Sequence, residues 1–218
     1  SPVVKMTTLR FMLSVMAANN LELIQLDVNT AFLHGDLQEE IYMEQPKGFV
    51  AFDQEHLVCR LKKSLYGLKQ APRQWYKKFD DFIQSIGFSK SDEDHCLFTK
   101  TAQDGSPIFL IIYVDNVLLS GRHTGELTEL VHKLRLNFSM KDLGPARHIL
   151  GMKISRHREK RQLLLSQTDY IGRVLERFNM QSTKFASTPL PINLRLSQRD
   201  CLTSGLEGED IKSVPYAS

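Results

Sequence analysis

The sequence predicts an α+β domain built around an antiparallel sheet, because amphipathic helical segments alternate with short apolar runs joined by tight turns. The clearest helix spans about residues 71–86, where aromatic and aliphatic side chains recur at helical spacing. The clearest hairpin joins two apolar runs, residues 108–114 and 117–120, through Asp115-Asn116. Two-residue turns need a positive φ, which Asn tolerates, so the turn is assigned to Asp115-Asn116.

The same signals assign the other elements in chain order. Apolar periodicity separates helices from strands, and Gly, Pro and Asn mark the breaks between them. The sequence from 181 to 218 is rich in Ser, Thr and Pro and predicts a linker. Helices are predicted at about 7–18, 124–136 and 168–178, a turn or short helix at 32–37, and further strands at about 21–28, 41–43, 57–61, 96–100, 146–154 and 162–166.

Length and composition indicate one globular domain, or a domain with a subdomain. The 218 residues are 42% hydrophobic and 24% charged, and the formal net charge of +3 is compatible with nucleic acid without requiring it. The three cysteines are isolated, which argues against a zinc site or a disulfide framework and favours a reducing intracellular setting. The longest apolar run, residues 108–114, is about a third of a membrane span, so no membrane association is expected.

Two acidic residues at the ends of apolar strands form a candidate metal site. Asp27 ends the strand at 21–28, and Asp115 lies between the two strands of the clearest hairpin. Mg²⁺ takes hard oxygen ligands such as carboxylates and leaves its other positions to water and phosphates. The residues alone leave an alternative open, in which Asp115-Asn116 is only a turn dipeptide and Asp27 only ends a strand.

Five short motifs follow one another along the chain: LDVNTAFLHG at 26–35, SLYGLKQAPR at 64–73 with Trp75 after it, YVDN at 113–116, MKDLG at 140–144 and LGMKI at 150–154. In this order they resemble the reverse transcriptases of copia-type LTR retrotransposons. Five ordered motifs are much more specific than a lone Tyr-x-Asp, and the resemblance covers essentially the whole chain. YVDN stands where that family has Tyr-x-Asp-Asp, so Asn116 replaces an aspartate.

The resemblance implies the right-hand polymerase fold, in which an antiparallel palm sheet carries the catalytic hairpin and packs on helices. Residues 1–138 would form the fingers and palm. Residues 139–180 would form the end of the palm, the primer-grip hairpin and the start of the thumb, and residues 181–218 a linker. The family has a fingers segment before this stretch and an RNase H region after it, so the fingers are expected to be incomplete.

The resemblance also implies RNA-directed DNA polymerase activity, in which two metal ions assist the transfer of a nucleotide from a dNTP to a primer 3′-OH. The cofactors would be two Mg²⁺ ions, with Mn²⁺ as a substitute, held by Asp27, Asp115 and the Val28 carbonyl. The implied partners are an RNA template, a DNA primer and a dNTP, with RNase H and integrase regions of the same Pol polyprotein. The implied location is intracellular, in cytoplasmic virus-like particles or in the nucleus.

Three residues match positions that would contact the incoming nucleotide or the leaving group. Phe32 matches a sugar gate that excludes a 2′-OH by its bulk, although a Phe is also a common core residue. Gln70 matches a nucleotide contact, and its alternative is a polar residue at the start of a helix. Lys141 is a candidate general acid for pyrophosphate, and its alternative is a solvated lysine in a surface loop.

A stretch of basic residues without any acid runs from Arg60 to Lys78 and is a candidate nucleic-acid surface, because Lys and Arg neutralise phosphates. A solvated helix face is the alternative for Lys77 and Lys78. The primer-grip motif adds Gly151 and Met152 as contacts. The residues of the basic stretch assigned to nucleic acid are Lys62, Lys63, Lys69, Arg73 and Trp75.

Asn116 is the main departure from the family pattern. An amide keeps the shape of a carboxylate but loses its negative charge, so catalysis by this chain is expected to be impaired. The alternatives to an impaired polymerase are a nucleic-acid-binding remnant without catalysis and an inert remnant of a decayed retrotransposon.

Overall fold

A computed structural model describes residues 2–50, 52–187 and 197 of the chain. It confirms a mixed α and β architecture with antiparallel sheets, because helices and strands alternate along the chain as predicted. The helices are α1 (Met6–Ala18), α2 (Ala71–Ser85), α3 (Thr124–Asn137) and α4 (Thr168–Arg177), with a 3₁₀ helix at Ala31–His34. The strands are β1 (Glu22–Val28), β2 (Tyr42–Glu44), β3 (Val58–Arg60), β4 (Ser89–Lys90), β5 (Leu97–Thr101), β6 (Pro107–Tyr113), β7 (Asn116–Gly121), β8 (Met140–Pro145), β9 (His148–Ile149), β10 (Met152–His157) and β11 (Gln162–Ser166).

The largest sheet has six strands in the order β4-β5-β6-β7-β1-β8. Its neighbouring strands all pair in the antiparallel sense. β1 therefore lies between β7 and β8, and both of its edges are hydrogen-bonded. The smaller sheets have the orders β11-β10-β9 and β2-β3.

Three strands differ from the prediction. β4 and β8 were not predicted, and the predicted strand at 146–154 is interrupted by a turn at Leu150 and Gly151, which have φ values of 50° and 75°. β8 ends in Gly144-Pro145, residue types that are depleted in strands, and only Met140 of its six side chains is buried. Its local pattern therefore indicates a loop, and pairing with β1 overrides that preference.

α2 places Trp75 and Phe79 in the core, and its predicted span of 71–86 is confirmed to within one residue. Pro72 lies in the first turn, where a missing N–H costs nothing, and Gly87 follows the helix with a φ of 91°. The ring of Phe138 packs on this helix, with its centroid 5.2 Å from that of Trp75 and 5.7 Å from that of Phe79. Aromatic pairs at such spacings contribute beyond simple burial of their surface.

Gly35, after the 3₁₀ helix, touches the start of α2 and is expected to tolerate no side chain. A Cβ at this position would lie 2.9 Å from the backbone nitrogen of Trp75 and 3.0 Å from the Cβ of Gln74. Gly35→Ala should therefore lower the free energy of unfolding by about 1–3 kcal/mol, the usual cost of overpacking. Urea denaturation measures the loss. Gly125→Ala is the control, because a Cβ there meets nothing within 4 Å, and an equal loss in both variants would refute the steric explanation.

The chain divides into two compact units. The first consists of Ser1–Arg147 with Ile154–Leu164, and the second of His148–Lys153 with Leu165–Ser218. The domain boundaries predicted after residues 138 and 180 stay predictions, and most of the predicted linker lies outside the described residues. No helix among the described residues has both the length and the apolar character that crossing a membrane requires.

Candidate active site at the end of the central strand

A row of polar side chains crosses four neighbouring strands of the large sheet. Asp27 near the end of β1 is directly opposite Asn116 on β7 and Lys141 on β8, and Asn116 is in turn opposite Tyr113 on β6. Directly opposed residues of antiparallel strands project to the same face, with Cβ atoms about 4.5–5.5 Å apart. Lys141 therefore lies on a strand and not in the surface loop that its alternative reading assumed.

The β6–β7 turn consists of Val114 and Asp115, so the predicted turn at Asp115-Asn116 is wrong by one residue. Tyr113 and Asn116 form the last pair of the hairpin, and Asn116 is the first residue of β7. Pairing with Asp27 on β1 draws Asn116 into the strand. The positive φ of 56° falls on Val114 instead. A β-branched residue rarely adopts this conformation, whose cost is about 1–3 kcal/mol.

Two hydrogen bonds hold the backbone of this turn. The indole N–H of Trp75 donates to the Val114 carbonyl at 2.6 Å, and the Val28 N–H donates to the Asp115 carbonyl at 2.8 Å. The second bond places Asp115 against the residue that follows Asp27. Trp75 is only 1% exposed, so its ring cannot stack on a base. The prediction that Trp75 contacts nucleic acid is therefore corrected, because Trp75 is a core residue that reaches the turn.

An amide network joins the carboxylate of Asp115 to the interior of the sheet. The Asn116 Nδ2 donates to Asp115 Oδ1 at 3.0 Å, and the Gln25 Nε2 donates to Asn116 Oδ1 at 3.3 Å. Gln25 is buried and was missed in the sequence, although its position two residues before Asp27 on one strand puts both on the same face. The Asn116 amide thus turns a donor, and not its oxygen, toward Asp115.

Asp27 and Asp115 bring two carboxylates to this end of the sheet, and Val28 follows Asp27 as the last residue of β1. Both carboxylates are half-buried, and within the described part of the chain the Asp27 side chain makes no hydrogen bond or ion pair. No cluster of three or more His, Cys, Asp or Glu occurs among the described residues. The side chains at this end of the sheet therefore include two carboxylates, with the Asn116 amide beside them.

His34 lies behind the turn, between aromatic rings. Its ring centroid is 5.7 Å from that of Trp75 and 5.7 Å from that of Phe138. Burial lowers the pKa of His34, and the charges of Lys63 and Lys78 lower it further. The imidazole is accordingly neutral at neutral pH and adds no charge to the packing around Trp75.

The residues predicted to contact the nucleotide lie at the surface. Phe32 is half-exposed, and its ring centroid lies 4.8 Å from that of Tyr66, which is 53% exposed and was not predicted as a site residue. Gln70 directly precedes α2 without a side-chain capping bond, and its amide donates to Glu39 at 3.0 Å. Phe32 is thus not a buried core side chain, and no local signal in the sequence indicated its contact with Tyr66.

The basic stretch separates into free and paired charges. Arg60 forms an ion pair with Glu40 at 2.6 Å, and Lys78 forms one with Asp36 at 2.8 Å. Ion pairing with an acid reduces what these two cations can offer to a phosphate. Five other cations of the stretch are exposed and make no ion pair within the described residues: Lys62, Lys63, Lys69, Arg73 and Lys77.

The two primer-grip residues differ in exposure. Gly151 is exposed with a φ of 75°, whereas Met152 is 7% exposed. The side chain of Met152 is therefore not accessible to nucleic acid, and that part of the prediction is corrected. The reason is the alternation of β10, in which Met152 and Ile154 are buried and Lys153 is exposed.

The chain is similar to one family of known proteins. The family of reverse transcriptases (RNA-dependent DNA polymerases) matches residues 1–192. The chain belongs to the reverse transcriptase family. It is 54% identical over 218 residues to the retrovirus-related Pol polyprotein from transposon TNT 1-94 of Nicotiana tabacum, which covers 100% of this chain and 16% of that protein.

Two further relatives support membership of the reverse transcriptases of copia-type elements. The Pol polyprotein from transposon RE1 of Arabidopsis thaliana is 40% identical over 197 residues, covering 90% of this chain and 13% of that protein. The putative transposon Ty5-1 protein YCL074W of Saccharomyces cerevisiae is 34% identical over 165 residues, covering 76% and 53%. This reverse transcriptase chain therefore spans a small part of the first two polyproteins. No solved structure matched it.

Proposed function

We propose that the chain forms the fingers and palm of an RNA-directed DNA polymerase, which extends a primer 3′-OH with dNTPs, and that Asn116 impairs this reaction. The observation that carries the proposal is the contact of the Asp115 backbone with Val28 at the end of β1. It brings the two acidic motifs of the family together at one end of the sheet. The row of side chains across the sheet would then be the catalytic face of the palm; it consists of Tyr113, Asn116, Asp27 and Lys141.

The donor set at this place fits a divalent cation, because carboxylate and carbonyl oxygens are the ligands that Mg²⁺ and Mn²⁺ prefer. Asp27, Asp115 and the Val28 carbonyl would hold two Mg²⁺ ions, for which Mn²⁺ could substitute. Bound there, the ions would polarise the attacking hydroxyl and neutralise charge on the phosphates. The free carboxylate of Asp27 supports this role, since no partner in the described chain competes for it.

The surrounding side chains would select and position the nucleotide. Phe32, backed by the ring of Tyr66, would exclude a 2′-OH by steric bulk. Gln70 would contact the nucleotide after exchanging its hydrogen bond to Glu39. Lys141, directly across β1 from Asp27, would donate a proton to the leaving pyrophosphate.

The same proposal assigns a subdomain to each part of the chain. Residues 1–138 would act as fingers and palm, residues 139–180 as the end of the palm, the primer grip and the start of the thumb, and residues 181–218 as a linker. The chain would work on an RNA template and a DNA primer within a polyprotein that also carries RNase H and integrase regions. Its place would be intracellular, in cytoplasmic virus-like particles or in the nucleus.

Removing either carboxylate should weaken cation binding. We expect Asp27→Asn and Asp115→Asn each to weaken Mn²⁺ binding at least about tenfold, because each removes a charged oxygen ligand. Titration followed by electron paramagnetic resonance of free Mn²⁺ measures the dissociation constant. Asp142→Asn is the matched control, since Asp142 on β8 accepts from the Gly144 N–H and lies opposite Leu26, on the other face. Equal losses in all three variants would contradict a shared cation.

Binding of an RNA–DNA hybrid should depend on the four exposed cations of the basic stretch that the sequence assigns to nucleic acid. Replacing Lys62, Lys63, Lys69 and Arg73 together by Ala should flatten the plot of log affinity against log salt by about 0.9 for each phosphate that the variant no longer neutralises. Fluorescence anisotropy over a range of salt concentrations measures that slope. The control replaces the ion-paired Arg60 and Lys78, for which we expect a smaller change. A slope equal to that of the unaltered chain in the fourfold variant would exclude this surface.

A second candidate function is nucleic-acid binding without catalysis. The observation that favours it is the Asn116 amide, which donates to Asp115 where the family has a carboxylate. This candidate predicts salt-dependent hybrid binding but no primer extension with Mg²⁺ or Mn²⁺. A chain that binds no hybrid at any salt concentration would be an inert remnant.

A further inference from the structure

The β6–β7 turn adopts a conformation that its own sequence does not favour. Two-residue hairpin turns with positive φ are normally built from Asn, Asp or Gly, whereas this turn has Val114 at a φ of 56°. Its side chain is β-branched and therefore stiff, so left-handed backbone is costly for it. Contacts from elsewhere in the fold must hold the turn, and they decide where Asp115 lies.

The contact at the strained residue itself comes from α2. The indole N–H of Trp75 donates to the Val114 carbonyl at 2.6 Å, and the Trp75 side chain is almost wholly shielded from water. A hydrogen bond in such surroundings is stronger than one exposed to solvent, and leaving the carbonyl unpaired would be costly. The carbonyl belongs to the peptide unit that joins Val114 to Asp115, so the indole fixes the orientation of that peptide plane.

The indole is itself held in place by its neighbours. The Trp75 ring centroid lies 5.5 Å from that of Phe79 and 5.2 Å from that of Phe138. The backbone of Trp75 is also pressed against Gly35, where no side chain fits. The helix therefore presents the N–H from a rigid support, which is the requirement for holding a functional group in a precise geometry.

We propose that Trp75 is a positioning residue for the cation site: its indole N–H holds the Val114–Asp115 peptide so that the Asp115 carboxylate stays at the end of β1. The proposal rests on the proposed function, in which Asp27 and Asp115 share divalent cations. Trp75 follows the motif at 64–73, and the proposal gives it a role in the geometry of the motif at 113–116. A purely structural tryptophan would only fill the core beneath the sheet.

The test compares two variants of the same helix face. Trp75→Phe keeps an aromatic ring in the core and removes only the N–H and part of the ring. Phe79→Leu disturbs the same aromatic cluster without touching the turn. Each is made in the full chain and together with Asn116→Asp, and urea denaturation reports the stability of each variant. The probe is Mn²⁺, followed by electron paramagnetic resonance.

We expect Trp75→Phe to raise the Mn²⁺ dissociation constant about tenfold, and Phe79→Leu less than about twofold at a similar loss of stability. Rescue gives an independent check. Val114→Asn, which suits a positive φ, should restore most of the affinity in the Trp75→Phe chain and change little in the parent. Equal effects of Trp75→Phe and Phe79→Leu on Mn²⁺ binding, or failure of the rescue, would overturn the proposal.

Hydrogen exchange separates this proposal from the proposed function, because it needs no cation. The Val28 N–H donates to the Asp115 carbonyl, so its exchange reports on the turn directly. Trp75→Phe should speed exchange at Val28 by about tenfold relative to Phe79→Leu. Equal exchange in both variants overturns the positioning role. Exchange at Val28 could be faster in Trp75→Phe than in Phe79→Leu while no chain binds Mn²⁺, even with Asn116→Asp. That result would support the positioning role and refute the cation site.

Discussion

Asn116→Asp is expected to raise the rate of primer extension with Mg²⁺ by on the order of a hundredfold or more, because it adds a charged ligand at the proposed cation site. In the native chain the Asn116 Nδ2 donates to Asp115, and the amide oxygen accepts from Gln25. A carboxylate at position 116 keeps the bond from Gln25 and replaces the donor by an oxygen ligand. Single-nucleotide extension of a primer on an RNA template measures the rate.

The control for this prediction keeps the net charge of the native chain. Asp115→Asn with Asn116→Asp exchanges the two groups, and we expect no gain in rate because Asp115 is the carboxylate held against β1. Without a cation, adjacent carboxylates repel, so Asn116→Asp alone should lower the unfolding temperature until Mg²⁺ is added. Equal extension rates in the native chain and the Asn116→Asp chain would refute the idea that Asn116 impairs catalysis.

Asp94→Ala is expected to lower the free energy of unfolding by about 2–3 kcal/mol, the largest loss of stability that we expect from a polar substitution. Asp94 is 5% exposed and accepts hydrogen bonds from the Lys5 N–H at 2.9 Å and the Cys96 N–H at 3.0 Å. It thereby ties the residue before α1 to the residue before β5. Alanine would leave two backbone donors without an acceptor, and urea denaturation at neutral pH measures the cost.

The same carboxylate should make stability depend on pH. Burial raises the pKa of Asp94, but the hydrogen bonds from Lys5 and Cys96 outweigh it, and the net pKa lies below the ordinary 3.8. A lowered folded-state pKa stabilises the fold above pH 3.8, and that contribution is lost as the pH falls below this value. Asp94→Asn, which keeps the shape and one acceptor, should remove this component. An unchanged acid-unfolding curve in Asp94→Asn would contradict the assignment.

Local periodicity was sufficient to predict most helices and strands of this chain. α2 combines strong amphipathic spacing with Pro72 near its start and Gly87 after its end, and each signal acts within a few residues. β8 shows the opposite case, because Gly144-Pro145 disfavours a strand. β8 forms because it pairs with the edge of β1 that β7 does not occupy. The β6–β7 turn was shifted by one residue for the same reason, since contact with β1 selected its register.

The candidate site was predictable only where a side chain able to bind a cation lies within a recognisable sequence motif. Asp27 and Asp115 lie in such motifs, whereas Gln25 and Tyr66 depend on side-chain contacts across distant parts of the chain. Trp75 was assigned to the nucleic-acid surface because basic residues surround it in sequence. In the fold, helical periodicity turns it inward while Arg73 faces solvent.

The position of Trp75 also has a practical consequence, since it is the single tryptophan of the chain. Intrinsic ultraviolet emission excited at the red edge of protein absorption therefore comes from one ring, whose N–H touches the peptide before Asp115. Quenching of that light by a paramagnetic ion, or a change in its wavelength, would report events at the turn without any attached dye. The chain thus carries its own fluorescent probe, hydrogen-bonded to the residue that precedes Asp115.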